Sequence, residues 1–122
     1  MSWDAELVDD RGHIEVEVNY THNTNRMIAE AIQTAGRGET PMCGGPLGKA
    51  IGPAWWQTLD GMTGTEGRDF LAAIITELER DPARYEAMNP ENGWGSYESL
   101  LPVLRRMRDA VPDWPTTWTA SG

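Results

Sequence analysis

Residues 3–20 read WDAELVDDRGHIEVEVNY, and the alternation in that stretch decides the fold. Trp3, Ala5 and Leu7 alternate with Asp4 and Glu6, while Ile14, Val16, Val18 and Tyr20 alternate with Glu15, Glu17 and Asn19. A period of two sends successive side chains to opposite faces, so each run reads as a strand with one apolar and one acidic face. Between them, Asp9-Asp10-Arg11-Gly12 is a turn sequence whose glycine accepts positive φ, which makes the pair an antiparallel hairpin. A hairpin alone is marginal in water. The face carrying Ile14, Val16 and Val18 must therefore lie on something else, and the remaining apolar patterns are helical.

After Tyr20, Asn23 or Thr24 can cap a helix over about 25–35, with Met27, Ile28, Ala31, Ile32 and Ala35 on one face and Gly36 just past its end. Thr63-Gly64-Thr65-Glu66 is a capping box that starts a second helix running to about Arg80, with Phe70, Leu71, Ile74, Ile75 and Leu78 as its apolar stripe. Pro82 stops it, because Asp81 before it is steered away from helical geometry, and one or two further turns fit between Pro82 and Met88. Leu100, Leu104, Met107 and Val111 mark a third helix. Pro102 favours a start, or a kink, near Ser99 rather than a cap at Ser96, since a proline inside the helix costs about 3 kcal/mol. Thr116 to Ala120 is β-branched and aromatic, hence a third strand beside the hairpin. The reading is an α+β fold: a small antiparallel sheet of the N-terminal hairpin and a C-terminal strand, packed on about three helices. At 122 residues the chain fits one domain.

Residues 36–53, GRGETPMCGGPLGKAIGP, carry no periodicity and read as a long loop, either a surface segment or a functional lid. They do not form a phosphate loop, lacking the G-x-x-x-x-G-K-[ST] pattern. Pro53 to Trp56 reads as a helical turn with Pro53 at its first position. In a chain with six Trp, that apolar segment is also a candidate homodimer contact.

A formal charge of −9 disfavours general nucleic-acid or anionic-membrane binding, which depends on Lys and Arg. No apolar run is long enough to span a membrane or to act as a secretory core, so the expectation is a cytoplasmic protein. Cys43 is the single cysteine, and with His13 and His22 it gives no zinc-like spacing. No metal or cofactor is assigned.

Two amide-rich stretches stand out: NYTHNTN at 19–25 and NPENGWGS at 89–96. Each precedes a helix, where side-chain amides and hydroxyls satisfy open backbone groups. A connecting role is therefore one reading. The other is a binding site: Tyr20, His22, Asn23, Asn25, Asn89, Asn92, Trp94 and Tyr97 offer polar groups and aromatic faces to a protein partner or a small polar ligand. Catalysis would need His22 as a base with Asp60 or Glu66 nearby, and nothing in the spacing brings these together, so no catalytic residue is assigned. A signalling nucleotide would need Arg26, Arg68 or Arg84 at the pocket.

NYTHNTNRMI, LDGMTGTEGRDFL, MNPENGWGSYESLLPVL and MRDAVPDWPTTWTASG together resemble a group of small proteins encoded by actinobacteria and the phages that infect them. The chain is similar, more distantly, to phage proteins with a strand ending in N-x-T-x-N and a later G-[MK]-T-G-x-E helix start. The resemblance implies a viral or prophage context and a small accessory role in the host cytoplasm. It transfers no functional residue.

Overall fold

A computed structural model of the chain describes residues 2–37 and 55–122. The order of elements is β1 (Ser2–Asp9), β2 (Ile14–Thr21), a 3-10 turn (His22–Thr24), α1 (Asn25–Arg37), α2 (Trp56–Leu59), α3 (Gly64–Arg80), α4 (Pro82–Glu86), α5 (Tyr97–Asp109) and β3 (Thr116–Ser121). The sheet is antiparallel with β1 in the centre, in the order β2-β1-β3. The long helices α1, α3 and α5 are the three that the apolar periodicity marks. The expected loop at 36–53 lies, from residue 38 on, outside the described residues, as does Pro53.

Alternation builds the sheet as expected, with one correction. Trp3, Ala5 and Leu7 of β1, Val16 and Val18 of β2, and Trp118 of β3 are all buried. Ile14 is not: it is 44% exposed. Leu7 pairs with Val16, but the next residue, Val8, pairs with Ile14, so Glu15 is skipped by a bulge. Cross-strand partners share a face, and Val8 points away from the face of Leu7, so the extra residue carries Ile14 to the outside. The turn itself is held by the Asp9 carboxylate, which accepts the backbone N–H groups of Arg11 and His13 at 2.9 Å each, while Gly12 takes φ +81°.

The core lies between the inner sheet face and the helices. Trp3 meets Trp55 edge-on, with ring centroids 5.0 Å apart, and Trp55 lies 6.4 Å from Phe70. Met27, Ile28, Ile32, Leu71, Ile74, Leu100 and Leu104 fill the rest. Each such side chain contributes roughly 1.5–3 kcal/mol by leaving water. Gly67 lets α3 approach β3: a Cβ there would sit 2.2 Å from the Trp118 ring.

Helix boundaries differ from the sequence expectation at three points. The cap before α1 is Thr21, whose hydroxyl accepts the Asn23 N–H and starts the 3-10 turn, so neither Asn23 nor Thr24 is the cap. α1 continues through Gly36 to Arg37. The third expected helix, α5, starts at Tyr97 with Ser96 as its N-cap, and Pro102 lies inside it. Ser96 and Ser99 are not alternatives: the Ser96 hydroxyl accepts the Ser99 N–H at 3.1 Å and the Ser99 hydroxyl accepts the Ser96 N–H at 3.0 Å, forming one capping box. That box and the burial of Leu100, Leu101, Leu104 and Met107 offset the proline. The Thr63/Glu66 box of α3 forms as its sequence indicates.

Candidate functional site

The two amide-rich stretches meet. Asn23 donates through its side-chain amide to the backbone carbonyl of Trp94 at 3.2 Å and to the Asn92 amide oxygen at 3.5 Å. Tyr20 reaches from the end of β2 to the α5 cap, sharing a short hydrogen bond with the Ser99 hydroxyl and accepting the Ser96 N–H at 3.3 Å. Gly95 makes the approach possible. Its φ is +87°, and a Cβ would stand 2.5 Å from the Thr21 methyl and 3.3 Å from the Tyr20 hydroxyl.

Each stretch divides its residues between support and surface. In the first, Asn25 is buried and its amide oxygen accepts the indole N–H of Trp55 at 3.2 Å. His22 stacks on Trp56, with rings 4.9 Å apart and 10° from parallel, and its Nε2 is buried. Asn19 is tied to Ser2 and Asp4 through its amide nitrogen, at 2.9 and 2.7 Å. In the second, Asn89 accepts the Tyr97 N–H at 2.8 Å, and Asn92 accepts the Trp94 N–H at 2.9 Å. The Tyr97 phenol is buried, donates to the Leu78 carbonyl at 2.7 Å, and has its pKa raised chiefly by that burial. His22, Asn25, Asn89 and Tyr97 therefore hold the two loops in place from behind. Tyr20, Asn23, Asn92 and Trp94 remain in front.

Those four line a cleft of about 750 Å³ together with Ser2, Asn19, Thr21, Gly95 and Ser99. The last five are not among the candidate binding residues read from the sequence. The signal for Asn19 and Thr21 was membership of the motif, and that for Ser99 its three-residue spacing from Ser96; Ser2 gave none. Trp94 stands 71% exposed at the rim, although its backbone is fixed at both the N–H and the carbonyl. The cleft is thus a fixed set of amides and hydroxyls beside an open indole face.

Among the described residues its lining contains no charged side chain. Arg68 pairs with Asp69 and Arg84 with Glu30, so neither supplies the cation that a nucleotide phosphate would need; Arg26 does not line the cleft either. The acid–base constellation does not assemble. His22 is stacked on Trp56, Asp60 accepts the Ala120 N–H at 2.9 Å, and Glu66 serves the α3 capping box. Among the described residues no three His, Cys, Asp or Glu side chains form a group able to hold a metal, and no helix is long and apolar enough to cross a membrane. The arrangement can exchange hydrogen bonds and stack.

The tryptophans of the expected dimer contact, Trp55 and Trp56, are buried against the core. The exposed ones are Trp94 and Trp114. Comparison with protein-family models, curated proteins and solved structures finds no match to this chain.

Proposed function

We propose that the protein acts by binding, and that the cleft between residues 19–23 and 92–95 receives a polar segment of a protein partner. The observation that carries this reading is the exposure of Trp94 on a rigid turn. A large indole left in water contributes little to folding, yet its backbone is hydrogen-bonded on both sides and it borders a concave, uncharged, amide-rich surface. Such a surface suits the alternating N–H and C=O groups of a peptide. It suits a phosphate-bearing nucleotide poorly, because among the described residues no cation lines it. The sequence resemblance to actinobacterial and phage proteins supports an accessory role in an infected or lysogenic host, with the partner a host or phage protein.

The test is retention of host and phage proteins from lysate on immobilised protein. Wild type and Trp114→Ala should retain a common partner that Trp94→Ala and Asn92→Ala lose, with all variants still folded at the assay temperature and Asn92→Ala costing no more than about 1 kcal/mol. Equal retention by Trp94→Ala would remove the cleft from the function.

A further inference from the structure

We infer that the partner segment binds as an added β-strand on the outer edge of β2, running into the Trp94 cleft. This rests on the reading of the cleft as a protein-binding site and specifies how the partner is held.

The two sheet edges are treated differently by the fold. The outer side of β3 is closed by the chain itself: Trp118 donates its N–H to the Met62 carbonyl at 2.8 Å, Gly61 donates to the Trp118 carbonyl at 2.9 Å, and Thr63 bridges Thr117. On β2, among the described residues, no backbone hydrogen bond joins the outer side to any other element. An edge left open presents a row of unused donors and acceptors, which an extended segment satisfies by pairing.

That edge leads into the cleft. Asn19, Tyr20 and Thr21 are the last residues of β2 and also part of the cleft wall. Past Thr21 the ladder has no more backbone to offer, but the amide oxygen of Asn23 and the amide nitrogen of Asn92 have no partner among the described residues. They leave one acceptor and one donor in the cleft for the backbone of the segment beyond the strand. Trp94 then gives an apolar face to a side chain at the end of the segment.

Charge decides what the added strand carries and argues against a second copy of this chain. On the outer sheet face Glu17 stands directly opposite Glu6, a like-charge pair that is unfavourable in a sheet. Among the described residues neither glutamate has an ion-pair partner. A strand beside β2 sends every second side chain to that face, so Lys or Arg there relieves the repulsion. Pairing β2 with β2 of another copy would instead add a second Glu17 to a face already acidic. The occupant is therefore an extended segment of a different protein, free of proline, with basic residues at alternate positions.

The experiment uses amide exchange and chemical-shift mapping on the full chain, with an eight-residue peptide of alternating Lys and Val, matched to the length of β2. Two controls replace Lys by Glu, or N-methylate every second backbone amide. The Lys/Val peptide should slow exchange of β2 amides and shift the Trp94 indole N–H, and each control should bind at least about tenfold more weakly. Equal binding by the N-methylated peptide, or a Trp94 shift without β2 protection, would overturn strand addition while leaving the cleft as a site. Protection of β2 that grows with protein concentration alone would make a second copy the occupant and overturn the inference. No response to any peptide would also overturn it, whereas the cleft reading is judged separately by the Trp94→Ala retention experiment.

Discussion

The side-chain amide of Asn23 lies 3.2 Å from the carbonyl oxygen of Trp94, joining two loops that are 71 residues apart in sequence. One amide thereby fixes the end of the sheet to the turn before α5. The bond is exposed, so its energy is modest. Asn23→Ala should cost about 0.5–1 kcal/mol, and Thr21→Ala about 1 kcal/mol because it removes the cap of the 3-10 turn. Urea denaturation of both variants checks the order.

Gly95 should be the most sensitive position in the second loop. Alanine there meets both a positive φ and the Thr21 methyl at 2.5 Å, and Gly95→Ala should destabilise by about 1–3 kcal/mol. Gly93 has φ +76° but open space around it, so Gly93→Ala should cost about 1 kcal/mol. Adding Thr21→Ser to Gly95→Ala removes the clashing methyl and keeps the cap. Partial recovery of the denaturation midpoint in the double variant, and none from adding Thr21→Ser to Gly93→Ala, is the expected result.

The bulge at Glu15 makes Ile14 and Val16 behave oppositely, although both belong to one alternating run. Val16→Asp buries an unpaired charge and should cost several kcal/mol, about 3 or more. Ile14→Asp acts on an exposed side chain and should stay within about 0.5–1 kcal/mol. Melting temperatures that fell equally would show Ile14 to be on the core face.

A buried carboxylate gives the fold a pH dependence of known sign. Glu77 accepts hydrogen bonds from Arg80 at 2.8 and 2.6 Å and from Tyr85 at 2.7 Å, and its pKa is lowered, chiefly by the Arg80 bonds. A depressed folded value means stability that is present above the unfolded carboxylate range and lost as pH falls through the folded pKa. Tyr85 is the converse case: burial first, then the bond to Glu77, pushes its phenol up to about 12. Its contribution is complete below the ordinary value of 10.0 and disappears as pH rises through about 12. Urea midpoints measured across both ends of the pH range should fall in acid and in alkali. Glu77→Gln should flatten the acid limb, and an unchanged limb would place the acid sensitivity elsewhere.

Much of the fold is legible in the chain because period-two and helical patterns report burial directly. The strands, the Thr63/Glu66 cap and the Pro82 stop belong to that class. What alternation alone does not report is an inserted residue: nothing in IEVEV distinguishes Glu15 as the bulge. Likewise Pro102 argues locally for a later helix start, and only the reciprocal Ser96/Ser99 bonds with a buried leucine face outweigh it. The candidate site was legible as two unusual loops. Their convergence depends on Tyr20 reaching Ser99 and on Gly95 yielding space, contacts between residues far apart in sequence. His22 attracts notice by residue type, yet its ring serves as a stacking surface for Trp56.

The central claim is that the face of Trp94 meets another protein, and site-specific photocrosslinking tests it most directly. A benzophenone side chain is placed at Trp94 in one variant and at Trp114, the other exposed tryptophan, in a second. Both are expressed in the natural host and irradiated. The expected result is a discrete adduct with one protein from position 94, suppressed by Asn92→Ala, and none from position 114. Adducts of equal yield from both positions, or from 114 alone, would contradict it.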